Sequence, residues 1–160
     1  MEPDDLASSL QRLAAYKAST VAADNPDSLV LGADTVVVVD GDVLGKPVDI
    51  DDARKMLSRL SGRHHTVMTA VALQCSGVSF QTSAVATTVV QFRALPDQER
   101  EQYLATAAYQ DKAGAYGIQE EAMAFVKSVQ GCYYNVVGLP VDATIGLFED
   151  YQHQGGAHHE

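Results

Sequence analysis

The chain has 160 residues, 46% hydrophobic and 20% charged, which is the size and make-up of one domain able to bury a substantial core. Its formal net charge of -10 at pH 7 argues against an extended basic face, and so against a nucleic-acid groove or an anionic membrane surface. No apolar run is long enough for a transmembrane helix, MEPDDLASSL is the opposite of a secretory signal, and Cys75 and Cys132 lie far apart without a CxxC pattern, so a reducing cytoplasm is expected.

Leu6, Leu10, Leu13, Ala14, Lys17, Ala18 and Val21 recur at three- and four-residue steps and predict an amphipathic helix, with Asp4 and Asp5 at its positive end. Asn25-Pro26-Asp27 ends it. In LGADTVVVVDGDVLGKP, residues 31–47, the β-branched run Val36 to Val39 reads as a strand, and Asp40-Gly41-Asp42 as a turn into a second strand. Asp49, Asp51 and Asp52 ahead of Ala53, Met56, Leu57 and Leu60 predict a capped helix that Gly62 closes. His65 to Leu73 and Val78 to Phe92 predict two strands joined across Cys75-Ser76-Gly77. Pro96 and Asp97 open a helix through Tyr103 and Leu104, and a loop with Gly114 and Gly117 follows. Ala124 to Val129 reads as a short strand, and Pro140 starts a last helix carrying Val141, Ile145 and Phe148. Hairpins mixed with helices predict an α/β (α+β) fold with a mixed sheet, residues 1–152 forming one domain and 153–160 a disordered tail. The tail's His158-His159 reads as solvated, with no partner ligands nearby in sequence.

Four polar points stand out. Lys17 lies on the apolar-patterned face of the first helix, and Asp34-Thr35 interrupts an apolar strand. Lys46 stands between Gly45 and Pro47, and DKAGAYGIQ, residues 111–119, is a glycine-punctuated loop with both charge signs. Each has a plain alternative: Lys17 snorkels from a helix edge, Asp34 is an edge-strand or bulge charge, Lys46 pairs with Asp42 or Asp49, and the loop is a flexible connection. Together they point to phosphate chemistry. A half-buried carboxylate needs a partner or a metal, and Asp34 would hold a divalent ion, orient a water, or take its proton. Lysines supply the positive field a polyphosphate requires, and a glycine-rich loop offers backbone N–H groups. Gln119 has the paired donor and acceptor that read a base edge.

LGADTVVVVDGDVLGKP, DDARKMLSRLSGRHHTVMTAVAL, DKAGAYGIQ and GCYYNVVGLPV, in that order, resemble the Maf family of nucleoside triphosphate pyrophosphatases across most of residues 6–148. The DKAGAYGIQ version resembles the branch acting on dTTP and UTP, and differs from the branch acting on 7-methyl-GTP. The resemblance implies hydrolysis between the α- and β-phosphates, giving a nucleoside monophosphate and pyrophosphate. It implies a divalent metal, Mg²⁺ or Mn²⁺, and a fold similar to the inosine triphosphate pyrophosphatases, a mixed sheet with helices about a central cleft, often as a homodimer. Asp34 of ADT then matches the catalytic carboxylate, as general base or metal ligand. Lys17 of YKA and Lys46 of GKP match phosphate-contacting lysines, Thr35 and Gln119 match positions linked to substrate selection, and Asp111 and Lys112 match the loop lining the cleft.

Two departures bear on activity. The family pattern opens with a strand, a Ser-Xaa-Ser-Pro-Arg-Arg loop and a later Asp-Glu pair; the residues ahead of Lys17 match none of these, so an N-terminally truncated version of the fold is expected. Without those arginines, charged contacts of roughly 1.5–3 kcal/mol each are lost. The rival reading follows: a catalytically impaired nucleotide-binding or regulatory paralogue. After Gln119 the chain has Glu120-Glu121 where the family usually has Gly, and these carboxylates are expected to point outward.

Overall fold

The computed structural model describes residues 3–118 and 120–157. Helix α1 (Pro3–Asp24) leads into strands β1 (Val30–Val39) and β2 (Asp42–Leu44), then helix α2 (Ile50–Leu60). Strands β3 (His64–Cys75) and β4 (Phe80–Phe92), helix α3 (Asp97–Leu104), strand β5 (Val126–Gln130) and helices α4 (Tyr133–Val137) and α5 (Val141–Ala157) complete the chain. The strands form one sheet in the order β2-β1-β3-β4-β5, within the mixed α/β class that the sequence predicts. β1 and β2 are antiparallel, with Val37 opposite Leu44 and Val39 opposite Asp42. Their two-residue turn has positive φ at both Asp40 (52°) and Gly41 (79°), the Asp-Gly geometry whose twist matches flanking strands. β4 and β5 are antiparallel too, with an irregularity between Gln91 and Phe92.

The chain condenses into two compact units. The first holds the described residues up to Asp34, Thr69–Ala86 and those from Gly138 onward; the second holds Thr35–Met68 and Thr87–Val137. In the first, Val71, Leu73, Cys75, Phe80 and Leu147 form a core that Leu29, Ala33, Ala143 and Tyr151 extend. Helix α1 buries Leu10, Ala14, Ala18 and Ala22, while Leu13 and Val21 are each 51% exposed. That corrects the expected apolar face: the stripe is alanine at four-residue steps, and Lys17 borders it instead of lying within it. Small residues are needed there because the helix backbone comes close to β1. A Cβ on Gly32 would fall 2.5 Å from the Ala14 carbonyl oxygen and 3.0 Å from Ala18 Cβ.

In the second unit, Leu57 and Leu60 of α2 pack with Phe92, Tyr103, Ile118 and Val136 in one cluster. Helix α2 starts as predicted. Asp49 caps the helix by accepting from the Asp52 N–H at 2.7 Å, and Asp52 reaches back to accept from the Val48 N–H, just before the cap, at 2.9 Å. Gly62, just past its end, takes φ +67°.

Two elements differ from expectation. Helix α4 was not predicted, since Tyr133–Val137 is too short to show a helical period. Its placement depends on a tertiary contact: buried Asn135 donates to the Val67 carbonyl at 3.1 Å and to Thr88 Oγ1 at 3.0 Å. Helix α5 continues to Ala157, so residues 153–157 of the expected tail are helical, and His158-His159 lie outside the described residues.

Candidate active site

The first unit brings Lys17 and Asp34 together. Lys17 Nζ donates to Asp34 Oδ1 at 2.8 Å. Three features of the sequence produce this contact. Gly32 removes the side chain that would hold α1 off the strand. Asp34, two residues on, lies on the same face of β1 as Gly32. Lys17 adjoins Ala18, the residue against which Gly32 packs, so its stem starts beside the strand. The carboxylate is 22% exposed and the lysine 52%, so Asp34 is partly sheltered and its partner reaches it from solvent. The charge inside the apolar strand is therefore paired, as a half-buried carboxylate requires.

The other described candidates lie in the second unit. Thr35 is half-buried on β1. Lys46 is exposed, and the acids proposed as its plain partners are engaged elsewhere: Asp42 with Arg59 at 2.9 Å, and Asp49 in the α2 cap. The loop carrying Lys46 is tied to the 111–118 segment, because the Gly114 N–H donates to the Gly45 carbonyl at 3.1 Å. Gln119 lies outside the described residues.

The 111–118 segment is not a slack connection. Asp111, Gly114 and Ala115 all have left-handed backbone, with φ of 61, 69 and 70°. For alanine that conformation costs roughly 1–2 kcal/mol and persists only where the surroundings impose it. Gly114 sits against β1, where an added Cβ would fall 2.9 Å from Val37 Cγ2. The Ala115 N–H donates to the Lys112 carbonyl at 3.0 Å, and Tyr103 Oη donates to the Ala115 carbonyl at 2.9 Å. The exposed Lys112 side chain folds over Gly117, whose added Cβ would meet Lys112 Cδ and Cε at 3.0 Å. Glycine at 117 thus leaves room for the lysine stem.

Beneath this loop lies a polar pair that the sequence did not single out. His65 Nε2 is 2.5 Å from Tyr116 Oη, and both side chains are buried. Phe92 packs edge-on against both rings, with centroids 4.9 Å from His65 and 4.7 Å from Tyr116. Burial pushes the His65 imidazole down from 6.5 to about 4, with neighbouring His64 adding to the effect. Burial likewise raises the Tyr116 phenol, with Tyr103 a lesser cause. Both groups are therefore neutral at physiological pH. The available signal was a polar aromatic inside an otherwise apolar strand. Gly32 was also missed; its signal was a glycine two residues before the carboxylate, opposite a run of alanines four apart.

Asp34 is a hard oxygen donor of the kind that divalent cations such as Mg²⁺ take. Among the described residues no group of three or more His, Cys, Asp or Glu side chains is placed to hold an ion. Mg²⁺ commonly uses one or two carboxylates, with water and substrate phosphates completing its shell, and a single carboxylate such as Asp34 would fit that mode.

Comparison with known proteins agrees with the local chemistry. A protein from Symbiobacterium thermophilum named dTTP/UTP pyrophosphatase is 48% identical over 150 residues, covering 92% of this chain and 75% of the relative. One of the same name from Hahella chejuensis is 48% identical over 147 residues, covering 89% and 71%. A third, from Bacillus velezensis, is 45% identical over 142 residues, covering 89% and 74%. The sequence pattern of the Maf-like protein family matches residues 2–151, which spans Lys17, Asp34, Lys46 and the 111–118 loop alike, and the chain belongs to that family.

Proposed function

We propose that the chain is a nucleoside triphosphate pyrophosphatase that hydrolyses dTTP and UTP to the monophosphate and pyrophosphate. The observation that carries this is the Lys17–Asp34 contact at 2.8 Å, a lysine and a sheltered carboxylate in a chain about half identical to proteins of that name. Water attacks the α-phosphorus, the bond to the α–β bridging oxygen breaks, and pyrophosphate leaves. Lys17 engages Asp34 Oδ1, which aims the carboxylate and leaves Oδ2 to take the proton from water. Lys17, Lys46 and Lys112 offset phosphate charge, and Pro47 and Gly45 fix how Lys46 is presented. Thr35 and Gln119 are assigned to the base or sugar, and Asp111, with Lys112, to the loop lining the cleft. A divalent ion, Mg²⁺ or Mn²⁺, would be held by Asp34 and would neutralise charge on the triphosphate. Family resemblance supports a homodimer, to be read by light scattering. The free cysteines and the lack, among the described residues, of a helix able to cross a membrane support a cytoplasmic setting.

The test is pyrophosphate release from dTTP, UTP and the other common nucleoside triphosphates, with Mg²⁺ or Mn²⁺. We expect release from dTTP and UTP, and a loss of about 10²–10⁴-fold in Asp34→Asn, the range for removing a general base. Calorimetric binding without turnover, unchanged in Asp34→Asn, would instead establish a binding-only paralogue.

A further inference from the structure

The 111–118 loop holds three left-handed residues and carries Lys112, so something must impose its shape. Two buried phenols meet it. Tyr103 Oη holds the Ala115 carbonyl, and Tyr116 Oη is held by His65 Nε2 on β3. A phenylalanine at 116 would bury the same ring without desolvating a hydroxyl. A leucine at 65 would fill an apolar strand position without orphaning a polar atom, whereas His65 Nδ1 is buried with no partner among the described residues. A pair satisfied on one side only is a poor stabiliser but a directional anchor, since the hydroxyl–imidazole bond fixes where the ring ends. Its direction matters because Tyr116 immediately precedes Gly117, the platform over which the Lys112 stem folds.

We propose that His65 and Tyr116 are positioning residues, whose buried hydrogen bond fastens the strained 111–118 loop and so sets Lys112 for contact with a phosphate-bearing anion. The phosphate part rests on the pyrophosphatase reading; the fastening of the loop does not. Fixing Tyr116 fixes Gly117, and Gly117 dictates the path of the lysine side chain. The His65–Tyr116 bond thereby acts on the ligand through Lys112, without touching it.

Two readouts on the full chain test this. The first is trypsin cleavage after exposed Lys112, referenced to cleavage after Lys127 in the same sample. We expect Tyr116→Phe and His65→Leu to speed cleavage after Lys112 by about tenfold, as loops released from their tertiary contacts open more often. His65→Gln, whose amide can again meet the hydroxyl, should restore most of the protection. Equal cleavage in Tyr116→Phe, which keeps the ring and so the core, would overturn the fastening. The second readout is KM for dTTP in a double-mutant cycle. Tyr116→Phe should raise KM several-fold in the unaltered chain and leave it unchanged when added to Lys112→Ala. Additive effects would overturn the link to Lys112. If the unaltered chain releases no pyrophosphate at all, the pyrophosphatase reading fails, and cleavage alone decides whether the pair fastens the loop.

Discussion

Lys17 and Asp34 form an ion pair with one partly exposed member, and that sets what their loss should do. Pairs open to solvent contribute about 0–1 kcal/mol, so Lys17→Met should shift stability by no more than that in a denaturant titration. The same substitution should raise KM for dTTP, because it removes the charge proposed to meet phosphate and the hydrogen bond that holds Asp34. A large drop in stability with unchanged KM would make Lys17 structural. His65 gives a second residue-scale expectation, with a definite sign. Its imidazole is held near 4 in the folded chain, against 6.5 when exposed. Between those values the unfolded state binds the extra proton, so the contribution of His65 is complete above about pH 6.5 and is lost as pH falls toward 4. The slope from this one group is at most about 1.4 kcal/mol per pH unit. Comparing urea midpoints of the unaltered chain and His65→Gln from pH 7.5 to about 4.5 should show a steeper fall in the former.

At the scale of elements, the contact of α1 with β1 decides where the Lys17–Asp34 pair sits. The Ala14 carbonyl lies 2.5 Å from where a Gly32 Cβ would be, and a backbone atom inside a helix cannot move aside by itself. Gly32→Ala must therefore push the helix away from the strand. The expected cost is about 1–3 kcal/mol, as for other overpacked sites. Activity should fall further than stability, since Lys17 travels with the helix while Asp34 stays on the strand. Urea denaturation alongside pyrophosphate release separates the two effects. These elements were legible to different degrees. Helix α2 showed its cap and its stripe in sequence, because both are local: Asp49 and Asp52 bond to backbone within four residues. Helix α1 was found, but its buried face was misread. Leucine and valine outrank alanine on any hydrophobicity pattern, yet alanine is what fits where two backbones nearly touch.

For the molecule as a whole, the divalent ion proposed for the reaction is expected to serve catalysis and not the fold. Among the described residues no three His, Cys, Asp or Glu side chains cluster to hold an ion, and the proposed ion would be shared between Asp34 and substrate phosphates. Chelation with EDTA should stop pyrophosphate release while leaving the thermal midpoint within a degree or two, and added Mg²⁺ or Mn²⁺ should restore turnover. A large fall in the midpoint would reveal a structural ion.

The sequence by itself determined the fold class, the strands and long helices, and the family, and it singled out Lys17, Asp34, Lys46 and Lys112 as candidate charges. Periodicity, capping and motif order are properties of neighbouring residues, so they survive without coordinates. Only the tertiary structure decided that Lys17 meets Asp34, that Gly32 permits it, that Lys112 lies over Gly117, and that His65 holds Tyr116 under the loop. Each of these joins residues that chain order or spacing does not pair, through a close approach or a buried hydrogen bond. Such contacts depend on how densely the elements pack, and no local pattern of residues encodes that density.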